Sequence, residues 1–304
     1  MLLYTHHNCM AHDPGEGHPE SPLRLRAVID ALDSERFAML DRVEAPRATR
    51  EQLARVHSHE LIDRILASEP DHGHIRLDPD TAMSPGSLDA ALRAAGAVVA
   101  AVDAVLDGHA ERAFCAVRPP GHHATRSEPM GFCLFNNVAV GAAHAIARDV
   151  ERVAIVDFDV HHGNGTQDIF YNEPNVLYAS THQWPLFPGT GARSEIGAGN
   201  IVNAPLPAGA TPADFHTAFD ETILPALEAF QPQLLLISAG FDAHRLDPLA
   251  NLNLDTADFE WATEQLIRVA LRHCQGRIVS TLEGGYSLTA LRQSVTAHVG
   301  ALLT

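Results

Sequence analysis

The run Val153-Ala154-Ile155-Val156-Asp157-Phe158-Asp159-Val160-His161-His162-Gly163-Asn164-Gly165 changes character half-way. It opens apolar and β-branched, and it closes in carboxylates, imidazoles and glycines. A strand with one wet face alternates apolar and polar residues, whereas a strand buried on both faces is apolar almost throughout. Residues 153–158 are of the second kind. The pattern predicts a central strand of a parallel sheet that delivers polar side chains at its carboxyl end.

Similar runs recur at 113–117, 176–180, 234–238 and 277–282. Between them lie segments of helical periodicity at 87–106, 134–147, 212–230 and 256–273. The Ala-rich stretch after Ser87 is a strong helix former. Ser87 and Thr256 are expected as N-caps, the latter followed by Asp258 and Glu260 in the first turn. Strands alternating with helices imply an α/β fold with a parallel sheet covered on both faces. With 304 residues and no repeat or linker, the chain is expected to form one catalytic domain over 1–304.

The bulk numbers exclude several classes. Hydrophobic residues make up 46% and charged ones 19%, a globular rather than disordered composition. A net charge of −17 argues against nucleic acid as a partner. No apolar run reaches the ~20 residues of a membrane span. The first residues lack a signal-peptide pattern. Cys9, Cys115, Cys133 and Cys274 form no C-x-x-C pair and are expected as free thiols, which points to the cytoplasm.

In open parallel sheets, ligands bind beyond the carboxyl ends of the strands. Four predicted strand ends carry reactive residues. Alternate residues of an extended chain face one way, so Asp157, Asp159 and His161 share a face. Carboxylate and imidazole together suit zinc or another divalent first-row ion. Run 234–238 leads to Gly240 and Asp242, a possible third ligand, with His244 as an alternative. Run 113–117 leads to Arg118-Pro119-Pro120-Gly121-His122-His123. That stiff loop presents either an acid–base pair or two more ligands. Run 277–282 leads to Glu283-Gly284-Gly285-Tyr286, whose phenol could stabilise an oxyanion.

These segments resemble those of the histone deacetylases and their bacterial relatives, the acetylpolyamine amidohydrolases among them. The likeness also takes in His12-Asp13, Gly17-His18-Pro19-Glu20, Gly131-Phe132-Cys133 and Phe187-Pro188-Gly189-Thr190-Gly191, so it runs nearly the length of the chain. Asn164, Asn136-Asn137 and Asp247-Pro248-Leu249 look like the class II branch. The resemblance implies a three-layer arginase/deacetylase-like fold with a mainly parallel eight-stranded sheet. It implies one zinc ion on Asp159, His161 and Asp242, and potassium near Asp157, Ser180 and Thr181 with the backbone of 159 and 161. It implies that His122, His123 and Tyr286 are catalytic, with Asp157 and Asn164 supporting the two histidines. It lines a substrate tunnel with Gly131, Phe132, Phe187 and Leu249.

The implied activity is hydrolysis of N-acyl amides of lysine-like amines by a metal-activated water. An acetylpolyamine amidohydrolase is the alternative, and a non-catalytic binder of acylated ligands is a third reading. By the resemblance, Leu249 stands where the animal polyamine-selective relative has an acidic residue, which favours acyl-lysine or a neutral acyl amide, whereas the net charge of −17 would attract polyamines. Asn164 replaces the aspartate of the class I pattern, so the histidine that it supports should be less basic.

Overall fold

The computed structural model describes residues 1–304. The five apolar runs become strands, and further strands not expected from the sequence join them. In chain order they are β1 (Leu2–Thr5), β2 (Asp41–Glu44), the hairpin strands β3 (Ile75–Arg76) and β4 (Ala82–Met83), β5 (Arg112–Cys115), β6 (Val153–Asp157), β7 (Val176–Gln183), β8 (Ile201–Leu206), β9 (Leu234–Ala239) and β10 (Ile278–Leu282). Eight of them form a single sheet in the order β2-β1-β5-β10-β9-β6-β7-β8. Every neighbouring pair in it is parallel.

This order contains the switch that makes the site. Helix Asn137–Ala147 carries the chain from β5 to β6, which is not its neighbour in the sheet. The chain then builds outward through β7 and β8 and returns to insert β9 and β10 into the gap. The carboxyl ends of β5, β10, β9 and β6 therefore stand side by side. Strands β5, β6, β7, β9 and β10 are buried at every residue, as their continuous apolar runs require.

Helix Ser87–Leu106 lies where the Ala-rich pattern put it, but Gly86 caps it with a positive φ of 89°. Ser87 is the first helical residue, and its hydroxyl takes up Ser84 N and His12 Nδ1 instead. Helix Thr256–His273 is capped by Asp255, not Thr256, in a reciprocal box with Asp258. The helix expected from 134 starts at Asn137, because the Asn136 side chain accepts from Ala139 N and acts as its cap. The helix expected over 212–230 is broken into Pro212–Ala218, a π turn at Phe219–Ile223 and Leu224–Phe230. Pro225 lacks the N–H that an unbroken α-helix would use there.

All four cysteines are free and buried. No helix is long and apolar enough to cross a membrane. The chain has 21 arginines and no lysine. Several pair with acids at the surface, as Arg148 does with Asp103 and Asp107 and Arg245 with Asp255.

Candidate active site

Beyond β6 the chain bends back on itself. Asp159 N donates to Asp157 Oδ1 at 3.1 Å, and His161 N to Asp159 Oδ1 at 2.9 Å. Ligand atoms of Asp159, His161 and Asp242 lie within 4.8 Å of one another, all three residues buried. Asp242 arrives from the end of β9, where its Oδ1 accepts from Val160 N at 2.9 Å. Asp157 stands outside this trio. It bonds His122 Nδ1 at 2.9 Å and accepts from the Tyr178 hydroxyl at 3.1 Å. His244, the alternative ligand, lies elsewhere, with Nε2 3.7 Å from Asp255.

The trio fits a divalent cation on its own evidence. Burial and the charge of Asp159 push Asp242 up to about 7, although the imidazole of His161 pulls it down. Burial works against a charged His161, yet hydrogen bonds to Asp159 and Asp242 raise it to about 10. Two carboxylates packed this closely need positive charge beside them, which a divalent cation on the same atoms would supply. Space has been kept as well: a methyl group on Gly240 or Gly284 would collide with the carboxylate oxygens of Asp159 or Asp242. Gly284 N itself donates to Asp159 Oδ2 at 2.8 Å.

His122 and His123 both point inward, 4.0 Å apart between ring centroids, which the stiff loop before them permits. Their electrostatics diverge. Burial disfavours charge on His122, but Asp157 and then Asp159 overcome it and hold its pKa well above the usual value. His123 faces the uncharged Asn164, Nδ1 to Oδ1 at 2.8 Å. Burial, followed by the charges of His122 and His161, drives its pKa well below the usual value. The arrangement therefore offers one cationic and one neutral imidazole, side by side.

Tyr286 sits across the pocket. Burial raises its phenol well above the usual value although Arg24 opposes the shift, so it remains a proton donor. Its backbone N donates to Asp247 Oδ2 at 2.7 Å. His123, Gly131, Phe132, His161, Phe187, Leu249 and Tyr286 surround a single pocket of about 240 Å³, to which Asp80 and Leu186 also contribute. Gly131 and Phe132 take positive φ of 57° and 69°. That backbone is rare for a bulky residue and marks a site held under constraint. A larger cavity of about 530 Å³ lies between other elements and holds none of these groups. The chemistry belongs to the smaller one.

Ser180 is the register partner of Asp157 across β6 and β7. Its hydroxyl contacts His182 Nδ1 at 2.9 Å, while the buried Thr181 hydroxyl has no partner.

The supporting layer went unseen in the sequence. Glu20 takes both arms of Arg118, at 2.5 Å each, and Arg24 at 2.9 Å, with all three side chains fully buried. Arg24 in turn donates to the carbonyls of Glu283 and Gly285. Glu283 Oε2 accepts from Gly121 N at 2.7 Å and His122 N at 3.2 Å. Glu20, Arg118 and Glu283 each belong to a motif already singled out, but nothing in their spacing predicts a buried ion cluster. Asp80 carried no sequence signal beyond its Asp-Pro-Asp setting.

A family model, the histone deacetylase domain, matches residues 18–302. The chain belongs to the histone deacetylase family. It is 41% identical to a probable deacetylase of Archaeoglobus fulgidus, over 94% of this chain and 81% of that one. It is 44% identical to a histone deacetylase-like amidohydrolase of Pseudomonas aeruginosa, over 89% and 73%. Histone deacetylase 14, chloroplastic, of Arabidopsis thaliana is 39% identical over 99% and 76%. The crystal structure of the HDA15 HD domain superposes with a TM-score of 0.93 at 36% identity, covering 99% of this chain and 87% of that one. The fold is thus that of the histone deacetylase family, with the eight strands expected.

Proposed function

We propose that this histone deacetylase family member is a zinc-dependent amide hydrolase, one catalytic domain over 1–304, that removes acyl groups from lysine-like amines. One observation carries the reading. Two adjacent buried histidines with different partners, Asp157 for His122 and Asn164 for His123, stand beside an Asp–His–Asp cradle at the same strand ends.

Asp159, His161 and Asp242 would hold the zinc ion, which would supply Lewis acidity to the amide carbonyl and to the attacking water. The rest falls to the chain itself. Asn164 Oδ1 accepts from His123 Nδ1–H, which leaves Nε2 free to take the proton of the water. His122, charged through Asp157, steadies the developing negative charge. Tyr286 donates its phenol proton in a hydrogen bond to the carbonyl oxygen. His123 then returns the proton to the leaving amine. Phe132, Phe187 and Leu249 favour an apolar stem with no charge along it. Asp157, Ser180 and Thr181 are the proposed potassium ligands, supported by the register that pairs Asp157 with Ser180.

Asp80 on the pocket lining favours a second reading, since a carboxylate there could receive the far ammonium of an acetylated polyamine. Metal-depleted protein reloaded with Zn²⁺ or Co²⁺ should be ranked by kcat/KM on acetyl-lysine peptides and N-acetylated polyamines. Peptides ahead of polyamines is the expected result, and the reverse order selects the second reading. Turnover that persists undiminished without any divalent metal would sink the mechanism.

A further inference from the structure

Helix Asn164–Phe170 has two functionally different ends. At its start, Asn164 orients His123. At its finish, Ile169 and Phe170 help floor the second cavity, of about 530 Å³, together with Ala143 and Ile146 of helix Asn137–Ala147. That volume is within the roughly 300–1,000 Å³ of small-molecule sites. Arg55 and Arg126 also line it, against a single acidic residue, Glu173. On a chain of net charge −17, this is a local reversal of sign.

The two arginines are not used up by the fold. Arg126 engages its neighbours only through its backbone, with N donating to Asp168 at 3.2 Å and O accepting from Ser58 N at 2.8 Å. Its guanidinium has no acceptor and no ion pair. Arg55 contacts His144 Nδ1 at 2.6 Å and Glu51 at 3.5 Å, which leaves donors of its five unspent. An apolar floor beside a free guanidinium calls for a ligand with an apolar tail and an anionic, planar head.

We propose that this cavity binds a medium-chain carboxylate, tail on Ile169 and Phe170 and head on Arg126 and Arg55, and that its occupancy adjusts turnover through helix Asn164–Phe170. The binding half stands alone, whereas the coupling half rests on the deacylase reading. A second link runs through Arg126 itself, three residues beyond His123 in one loop. Deacylation releases carboxylates, so the ligand is of the same chemical class as the acid product.

The test uses octanoate as probe and the full-length, metal-loaded protein. Calorimetry should give saturable binding with one site per chain. Arg126→Ala should weaken it roughly tenfold or more, as loss of a charge-assisted bond does. Ala143→Phe, which fills the cavity, should abolish it, and octylamine should bind at least tenfold more weakly than octanoate. In parallel, kcat/KM for an acetyl-lysine peptide should change saturably with octanoate in the native chain and stay flat in Arg126→Ala. Octanoate binding that is equal to that of octylamine, or untouched by both variants, overturns the site. Intact binding with unchanged kcat/KM overturns the coupling. Inhibition that survives in Arg126→Ala assigns the effect to the catalytic pocket and overturns it too. A chain without deacylase activity still answers the calorimetric half, so failure of the site and failure of the function reading stay distinguishable.

Discussion

Nδ1 of His123 stands 2.8 Å from Oδ1 of Asn164, an amide and not a carboxylate. A neutral partner fixes the tautomer and favours the imidazolium only weakly, too little to offset burial and the neighbouring charges. With burial and the charges of His122 and His161 disfavouring protonation, the ring stays a base at pH values where a free histidine has lost that role. Asn164→Asp should stabilise the charged ring and raise its pKa. The acid limb of the kcat/KM profile should then move to higher pH, with KM little changed. An acid limb that does not move would mean that another group sets it.

Tyr286 offers the pocket its one phenol, held protonated by burial. Tyr286→Phe keeps the ring that packs edge-on to Phe132 at 5.9 Å and removes only the hydroxyl. Turnover should fall by about 10²–10³, as it does for other single oxyanion donors. A variant with full kcat would take Tyr286 out of the chemistry.

Gly284 has no room for a side chain, since a methyl there would strike Asp242 Oδ2 and Asp159 Oδ2. Gly284→Ala should therefore fold but fail to retain the zinc proposed for the cradle. Atomic absorption on the purified variant should find well under one zinc per chain, and circular dichroism should match the native protein. Full occupancy would show that the cradle yields more easily than its packing suggests.

Buried histidines set the acid stability. Burial lowers His57 and His182 to about 4 and His298 to about 3, from an ordinary 6.5. An unfolded chain takes up protons near 6.5, whereas the folded one declines them until pH 3–4. Between those limits the unfolded state binds more protons, so stability drops as pH falls. Each such histidine contributes about 1.4 kcal/mol per pH unit. Asp242 and Glu283, raised to about 7 by burial, pull the other way but are fewer. The expected outcome is a Tm that declines steadily from pH 7 to pH 5, with a shallower slope in His298→Asn. A flat profile would contradict it.

What was legible in the sequence follows a physical divide. β6 and helix Ser87–Leu106 announce themselves because their neighbours in sequence carry the whole signal, a continuous apolar run and an Ala-rich period. β2 is exposed along most of its length at one edge of the sheet. β8 closes the other edge and includes Asn203 and Pro205, residues that read as turn. Neither has a pattern to find. The same divide runs through the site. Asp159 and His161 are two residues apart on one strand end, so spacing exposes them. Glu20 and Arg118 are separated by 98 residues, and Arg24 and Gly285 by 261. Only the folded sheet brings such groups together, and no local reading reaches them.

The use of arginine at every position that could have been lysine has a consequence for the molecule as a chemical target. Apart from its terminal α-amino group, the chain owns no aliphatic primary amine. Guanidinium stays protonated in proteins and resists acyl transfer. Acyl donors that accumulate around it find no lysine to modify, so the chain offers no side chain of the type whose acylated form it is proposed to cleave. In a mixture assayed for acyl-lysine, every signal must come from the substrate and none from this chain.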